Sequence, residues 1–347
     1  MATAKMVAGH VEADLEDASI CILCSREGAP FYHGLRDYTF GAVGAWNYRE
    51  CPQCGLLWLS PRPMPSDMGQ FYSNYLTHQV KKDHAHARRV NDKFKLALWA
   101  RALGRPDLAP DGPWSLIART FGLDPFIREL GTMGTMQLGG IKPGRLLDVG
   151  CGNGSFLSLM QSAGWKVAGL EPDPKAARLA SERLGVPIPS DTLREAAYPA
   201  ASFDAVTMQH VIEHVYDPVG EIAECRRILK PGGLLVIVTP NVASEGHRRF
   251  KADWRGLEPP RHVHLFTRKT LAACAQMAGI GIKSLWTSAR LAPGIWIESR
   301  AISKRKTGDA KKSGSLAGGL AFLLWERVAH VFRKDAGEEL FLVGTPL

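Results

Sequence analysis

Three groups of residues in this chain have the types and spacing to do chemistry. Cys21-x-x-Cys24 and Cys51-x-x-Cys54 are two thiol pairs, each on a tight turn that aims both sulfurs at one point. Together they complete the tetrahedral four-sulfur shell that zinc prefers. Four sulfurs leave no open position, so the zinc expected there is structural, stitching residues 20–60, which are too poor in apolar side chains for a core of their own. Disulfides are the competing reading; a reducing compartment and three further cysteines, Cys151, Cys225 and Cys274, favour the metal. In the second group, Leu146-Leu147-Asp148-Val149 runs as a buried strand into Gly150-Cys151-Gly152-Asn153-Gly154, and Glu171 follows one strand later. Glycines at such a point let a nucleotide-like cofactor touch backbone, and the acid is placed to hold a ribose. The G-x-G-x-G spacing departs from the G-x-G-x-x-G of a dinucleotide site. The third group is rich in histidine: Gln209-His210-Val211-Ile212-Glu213-His214 and Arg261-His262-Val263-His264. Imidazole titrates near neutrality, which suits it to proton removal.

The elements that must position these groups follow from period and punctuation. Phe156, Leu157, Leu159 and Met160 give a short helix with an apolar face, Gly164 stops it, and Trp165 to Leu170 alternate as a strand. Glu171 then falls at a strand's carboxyl end. Ligands in open α/β sheets bind beyond those ends, so the glycine turn and Glu171 converge on one crevice. Phe203 to Met208 reads as a later strand, and Asp217-Pro218 opens a helix whose Val219, Ile222, Ala223 and Ile228 share a face. Lys230-Pro231-Gly232-Gly233 turns the chain into the β-branched run Leu234 to Thr239, and Gly337 to Val343 supplies a last strand.

In order and spacing this series resembles the class I S-adenosylmethionine-dependent methyltransferases. The resemblance covers residues 140–347 and implies an α/β, Rossmann-like, seven-stranded sheet whose last strand runs antiparallel. It implies S-adenosylmethionine as cofactor, held by Asp148, Gly150, Cys151, Gly152, Gly154, Glu171, Pro172 and Gln209. It also sets residues 209–214 over the methyl group, which makes His210 or His214 the expected base, with His262 the next choice; the alternative is that these histidines shape the pocket or cap the following helix. Pro61-Arg62-Pro63 and Phe71-Tyr72-Ser73-Asn74-Tyr75, following the cysteine pairs, resemble a ribbon-bearing bacterial subset of the family, several of which act on sugars, nucleotide-linked sugars or surface polysaccharides. A small acceptor of that kind is therefore the expected substrate, methylated on oxygen or carbon. Tyr72 and Tyr75 would line its mouth or simply pack the domains together. Arg261 would bind a phosphate or carboxylate of the acceptor, or pair with Glu258 or Asp253.

Other readings compete. Quinone- or phenol-type O-methyltransferases have a similar Glu-His segment, and that likeness implies a divalent ion at His210, Glu213 and His214. The same letters spell H-x-x-E-H, the inverted zinc-protease signature, but Asp217-Pro218 interrupts too soon for the helix it requires. A nucleic-acid methyltransferase would explain the net charge of +9, yet Met208-Gln209-His210-Val211 stands where an Asn/Asp-Pro-Pro-Tyr segment is needed. A zinc-ribbon binding module without catalysis is the non-enzyme reading.

Length and composition fit a catalytic domain with a smaller partner: 347 residues, 45% apolar. The expected organisation is an N-terminal tail (1–19), a zinc ribbon (20–75), a helical linker (76–139) and the methyltransferase domain (140–347). The linker includes a basic run around Lys81-Lys82, Arg88-Arg89, Lys93 and Lys95, read as one helix face, and a helix from Trp114 to Leu130. No secretory signal pattern opens the chain and no apolar run reaches the ~20 residues of a bilayer span, so a cytoplasmic address is expected. The apolar helical stripe Leu316, Leu320, Leu323, Leu324, Val328 and Val331 is read as buried against the sheet, or as a homodimer or shallow membrane contact.

Overall fold

The computed structural model describes residues 4–8, 11–72, 85–307 and 314–347. The first part of the chain forms β1 (Ala4–Ala8), β2 (Val11–Glu16), β3 (Ala29–Leu35), β4 (Trp46–Glu50), β5 (Leu57–Leu59) and β6 (Arg62–Pro63), then a 3-10 turn over Pro65–Tyr72. Helices α1 (Ala85–Ala102), α2 (Trp114–Phe121) and α3 (Pro125–Gly134) lead into β7 (Arg145–Val149), α4 (Ser155–Ser162), β8 (Lys166–Leu170), α5 (Pro174–Leu184), β9 (Phe203–Gln209), α6 (Pro218–Ile228) and β10 (Leu229–Pro240). The chain closes with α7 (Glu245–Phe250), β11 (His264–Leu265), α8 (Arg268–Met277), β12 (Ile280–Ser288), α9 (Ala292–Lys306), α10 (Leu316–Phe332) and β13 (Glu339–Pro346).

The large sheet has the order β12-β13-β10-β9-β7-β8, with β8, β7, β9 and β10 parallel and β13 antiparallel to both its neighbours. Helices cover both faces and bury the apolar strands, as in doubly wound α/β proteins. Among the described residues this sheet has six strands, not the seven expected. Where an edge strand beside β8 would run, Val186-Pro187-Ile188-Pro189 offers two residues without an N–H, and the contact there is a single bond from the Glu171 amide to the Pro189 carbonyl at 3.2 Å. Three helices begin alike, with an Asp cap followed by Pro at the first helical position: Asp124-Pro125, Asp173-Pro174 and Asp217-Pro218. The first of these caps splits the expected helix over 114–130 into α2 and α3.

The ribbon and the large sheet are interleaved. A smaller sheet of order β11-β5-β4-β3 takes one strand from residues 264–265, where His264 pairs with Trp58 and Leu265 with Leu57. Beneath it, Cys21, Cys51, Leu56 and Trp58 share one buried cluster with Phe266, Leu271, Cys274 and Ala275. Residues 11–16, read as a tail, form β2 and pair with β6. Tyr75 and the basic residues Lys81 and Lys82 lie outside the described residues.

Candidate active site

On the donor side, Gly150, Gly152 and Gly154 have φ of 72°, 55° and 73°, three left-handed residues alternating through one turn. A Cβ on Gly150 would come within 2.5 Å of Val211 Cγ2, and one on Gly154 within 3.1 Å of Ala180, so the turn is pressed against its surroundings at both ends. At Gly152 the same atom would meet nothing within 4 Å, which leaves room above the turn. Asp148, at the end of β7, is buried and accepts from Thr207 Oγ1 at 2.6 Å. Burial pushes its carboxyl up to about 7, against the pull of the Thr207 hydroxyl. Glu171 accepts from the Gly152 amide at 2.7 Å with one oxygen and from the Asp173 amide at 3.0 Å with the other, so each oxygen keeps a lone pair for a hydroxyl. Cys151 is buried beside Gly169, with burial pushing its thiol far up. Only its backbone is therefore offered to a ligand. Pro172 is exposed beside Glu171, and Gln209 ends β9, half-buried.

On the opposite wall, His210 has φ 55°, a left-handed backbone that a side chain other than glycine adopts only at a cost. Its Nε2 lies 3.0 Å from Glu339 Oε1 and its Nδ1 3.3 Å from Glu213 Oε1. Burial works toward neutrality, but hydrogen bonds and charge from the two carboxylates prevail and lift the imidazole to about 10. The two acids respond in kind. Against burial, His210 helps draw Glu213 down to about 2, and Arg290, donating through Nε at 2.5 Å, draws Glu339 to about 2. The two carboxylates thus favour the protonated form of His210 and hold its ring between them.

His214 and His262 meet with ring centroids 4.9 Å apart. His214 Nδ1 lies 2.9 Å from the Arg261 carbonyl and 3.0 Å from the Tyr72 hydroxyl; His262 Nδ1 lies 2.7 Å from the Gly256 carbonyl. Each carbonyl fixes the Nδ1–H tautomer, leaving Nε2 with its lone pair. Burial depresses His262 to about 4. Ligand atoms of Glu213, His214 and His262 fall within 4.8 Å of one another, so His262 takes the place expected of His210 in a cation-binding set. Glu213 and His214 sit in a 3-10 turn of three residues, Ile212–His214, too short for a protease helix.

Arg261 does not project into the mouth. It is fully buried, donating to Asp37 Oδ2 at 2.8 Å, Glu258 Oε1 at 3.1 Å and the Phe71 carbonyl at 3.0 Å. It therefore ties the ribbon to the loop that carries His262. Tyr48, also buried, sets its hydroxyl 2.8 Å from the Leu257 carbonyl and 2.6 Å from that of His262. Glu339, Arg290 and Asp37 were missed by the sequence reading, because no local pattern marks residues whose partners are remote in the chain.

The four cysteines converge. Cys21 and Cys54 sulfurs are 3.6 Å apart, Cys24 and Cys51 3.2 Å, and all four lie within 4.8 Å. Tetrahedral ligands on ~2.3 Å bonds stand about 3.8 Å apart, whereas a disulfide needs about 2.05 Å. The two turns are built alike, with Ser25 N bonded to Cys21 O and Gly55 N to Cys51 O, each at 2.9 Å. The residues thus suit a bound metal ion.

Four parallel strands with a glycine turn and an acid at two of their carboxyl ends define a nucleotide-type donor site in a Rossmann-like sheet. A family model described as "Methyltransferase domain" matches residues 126–284. Over that stretch, somewhat less than half of its length, the chain thus carries a methyltransferase domain. It is similar to the ubiquinone biosynthesis O-methyltransferase of Cereibacter sphaeroides, 40% identical over 102 residues, which are 28% of this chain and 41% of that one. The corresponding protein of Chromobacterium violaceum is 32% identical over 153 residues, 41% of this chain and 66% of the relative. The matches thus span between two fifths and just under two thirds of these curated relatives. Solved structures similar in outline include a methyltransferase of Thermotoga maritima described as a possible histamine N-methyltransferase, at 20% identity, 68% and 97% coverage and a TM-score of 0.42. Another is phosphoethanolamine N-methyltransferase 2 of Haemonchus contortus with S-adenosyl-L-methionine, at 17% identity, 99% and 71% coverage and a TM-score of 0.45.

Proposed function

We propose that this protein is an S-adenosylmethionine-dependent methyltransferase that O-methylates a ring hydroxyl of a small quinol or phenol. The observation that carries the acceptor class is the similarity to ubiquinone biosynthesis O-methyltransferases, which favours a ring hydroxyl over the sugar first expected. When bound, S-adenosylmethionine supplies a methyl group already activated on a sulfonium. The chain's own residues then hold and align it: Asp148 and Glu171 as hydrogen-bond acceptors, and Gly150, Cys151, Gly152 and Gly154 through backbone, flanked by Pro172 and Gln209. His214 is the base, taking the acceptor proton on Nε2 while Nδ1 stays bonded to the Arg261 carbonyl. Buried Glu213 stabilises the imidazolium that forms. His210 carries fixed positive charge and orients Glu213 and Glu339.

Glu213, His214 and His262 support a second reading, in which they would hold a divalent ion that would supply Lewis-acid activation of the acceptor hydroxyl. Cys21, Cys24, Cys51 and Cys54 hold a structural zinc, as suits a cytoplasmic protein with reduced thiols. Methyl transfer from labelled donor to catechols and quinols, set beside nucleotide sugars, tests the acceptor class. Transfer to the nucleotide sugars alone would overturn it. Failure to bind the donor in calorimetry would remove the enzyme reading altogether.

A further inference from the structure

Helix α10 buries Gly319, Phe322 and Glu326 toward the protein, while Leu316, Leu320, Leu324, Val328 and Val331 stand exposed at successive turns on the other side. Val331 is 71% exposed. The stripe continues onto α2 and α3. Arg327, one residue before Val328, lies 3.5 Å from Asp124 and over the ring of Phe126, which sets Leu123, 78% exposed, beside the C-terminal half of α10. Leu116 and Phe121 are exposed as well, on α2. Ten of the eighteen large apolar side chains exposed among the described residues fall on these two neighbouring pieces. Exposed apolar side chains gathered in this way mark a contact with something apolar.

Charge selects the occupant. Exposed Arg119 and Arg128 border the patch, Arg327 pairs with Asp124 and Arg268 with Asp335 at its edges, and α9 ends in Lys304, Arg305 and Lys306, the last paired with Asp253. An apolar stripe bearing Trp and Leu and edged by arginines is the arrangement that lies in the interface of an anionic bilayer. A second copy of the chain would bring the same positive border against itself. Position agrees: α9 and α10 connect β12 to β13 at the sheet edge where Glu339 reaches His210, so the patch is on the site's side of the molecule. No helix among the described residues is long and apolar enough to cross a membrane.

We infer that the α10 face, with the α2–α3 turn, docks the protein on anionic phospholipid, presenting the acceptor site to the bilayer surface. This inference does not rest on the acceptor reading, because docking is measured without donor or acceptor. Co-sedimentation of the full chain with vesicles of equimolar phosphatidylcholine and phosphatidylglycerol, beside phosphatidylcholine alone, is the test. Binding is expected to the anionic vesicles only. L324D/V331D alters two exposed positions and should weaken it by about tenfold or more, since each exposed leucine or valine contributes apolar burial to the complex. R119E/R128E should weaken it and reduce its salt sensitivity. Absence of binding to anionic vesicles, or binding that survives L324D/V331D with unchanged thermal unfolding, overturns the inference. A dimer in sedimentation that L324D/V331D dissociates, without vesicle binding, assigns the face to a second copy instead.

Discussion

The donor side and the acceptor side of this molecule are built on opposite plans. The donor side is local: β7, α4, β8 and α5 form one run from Arg145 to Leu184, and its acids sit at the ends of adjacent parallel strands. The proposed acceptor side is assembled from distant pieces, with Tyr72 from the ribbon, His214 after β9, His262 from the loop before β11 and Glu339 from β13. Its members are held by long-range polar pairs: buried Arg261 reaches Asp37 across 224 residues and half-buried His210 reaches Glu339 across 129. A local plan preserves one binding task robustly. A dispersed plan lets the acceptor wall change through any of several segments while the donor site stays the same.

The ribbon offers the largest test of that contrast. Removing metal with a chelator, or Cys51→Ser, should unfold residues 20–60 and with them the acceptor wall, because structural zinc contributes ~10–16 kcal/mol of apparent binding energy in small domains. Metal analysis and thermal unfolding would check this, and native stability in metal-free protein would refute the structural role. Next in size, Arg261→Leu leaves Asp37 and Glu258 buried beside an apolar side chain, at a cost of about 3–5 kcal/mol in denaturant unfolding. Donor affinity in whatever remains folded should be close to wild type; an equal loss there would mean that the two sides are one cooperative site.

Within the folded protein, His214→Ala should lower kcat about a hundredfold or more with donor binding kept. An unchanged kcat would remove His214 from proton transfer. The smallest effect concerns pH. His262 is held near 4 in the fold against an ordinary 6.5, so the unfolded chain takes up its proton first as pH falls. Its contribution is present above 6.5 and is lost progressively between 6.5 and 4. His210, raised to about 10, has the opposite sign: its contribution is complete below 6.5 and is lost as pH rises toward 10. Thermal unfolding should therefore fall on both sides of neutrality, and His262→Gln should flatten the acid side only.

Much of the donor side could be read before any fold was known, because its signals are short-range. Asp217-Pro218 announces a helix start, Gly164 a helix stop, and alternating glycines a turn that only left-handed residues can make. Thr267 caps α8 as expected, with Thr270 completing the reciprocal pair. The seventh strand failed for a local reason that was also visible, the prolines at 187 and 189. For Arg261 the pairing with Glu258 was among the expectations and is observed at 3.1 Å, but its partner Asp37 and the His210 partner Glu339 were not legible. Histidine as a type suggests a base, and only the arrival of Glu339 from late in the chain shows that the ring is held between two carboxylates. Arginine on a loop suggests an anion-binding fork, and only Asp37 from the ribbon turns it into a buried brace.

The two-residue strand β11 has a consequence for how the chain comes into being. Leu57 and Trp58 lack their edge partner until Leu265 and His264 exist, roughly two hundred residues later in the chain. At a synthesis rate of ~5–20 residues per second that interval is about 10–40 s. During it the ribbon carries an open strand edge and an uncovered Trp58, a template for unwanted pairing. Metal capture by the first fifty-four residues would then act as a clamp on the waiting ribbon, well before there is any site for it to wall.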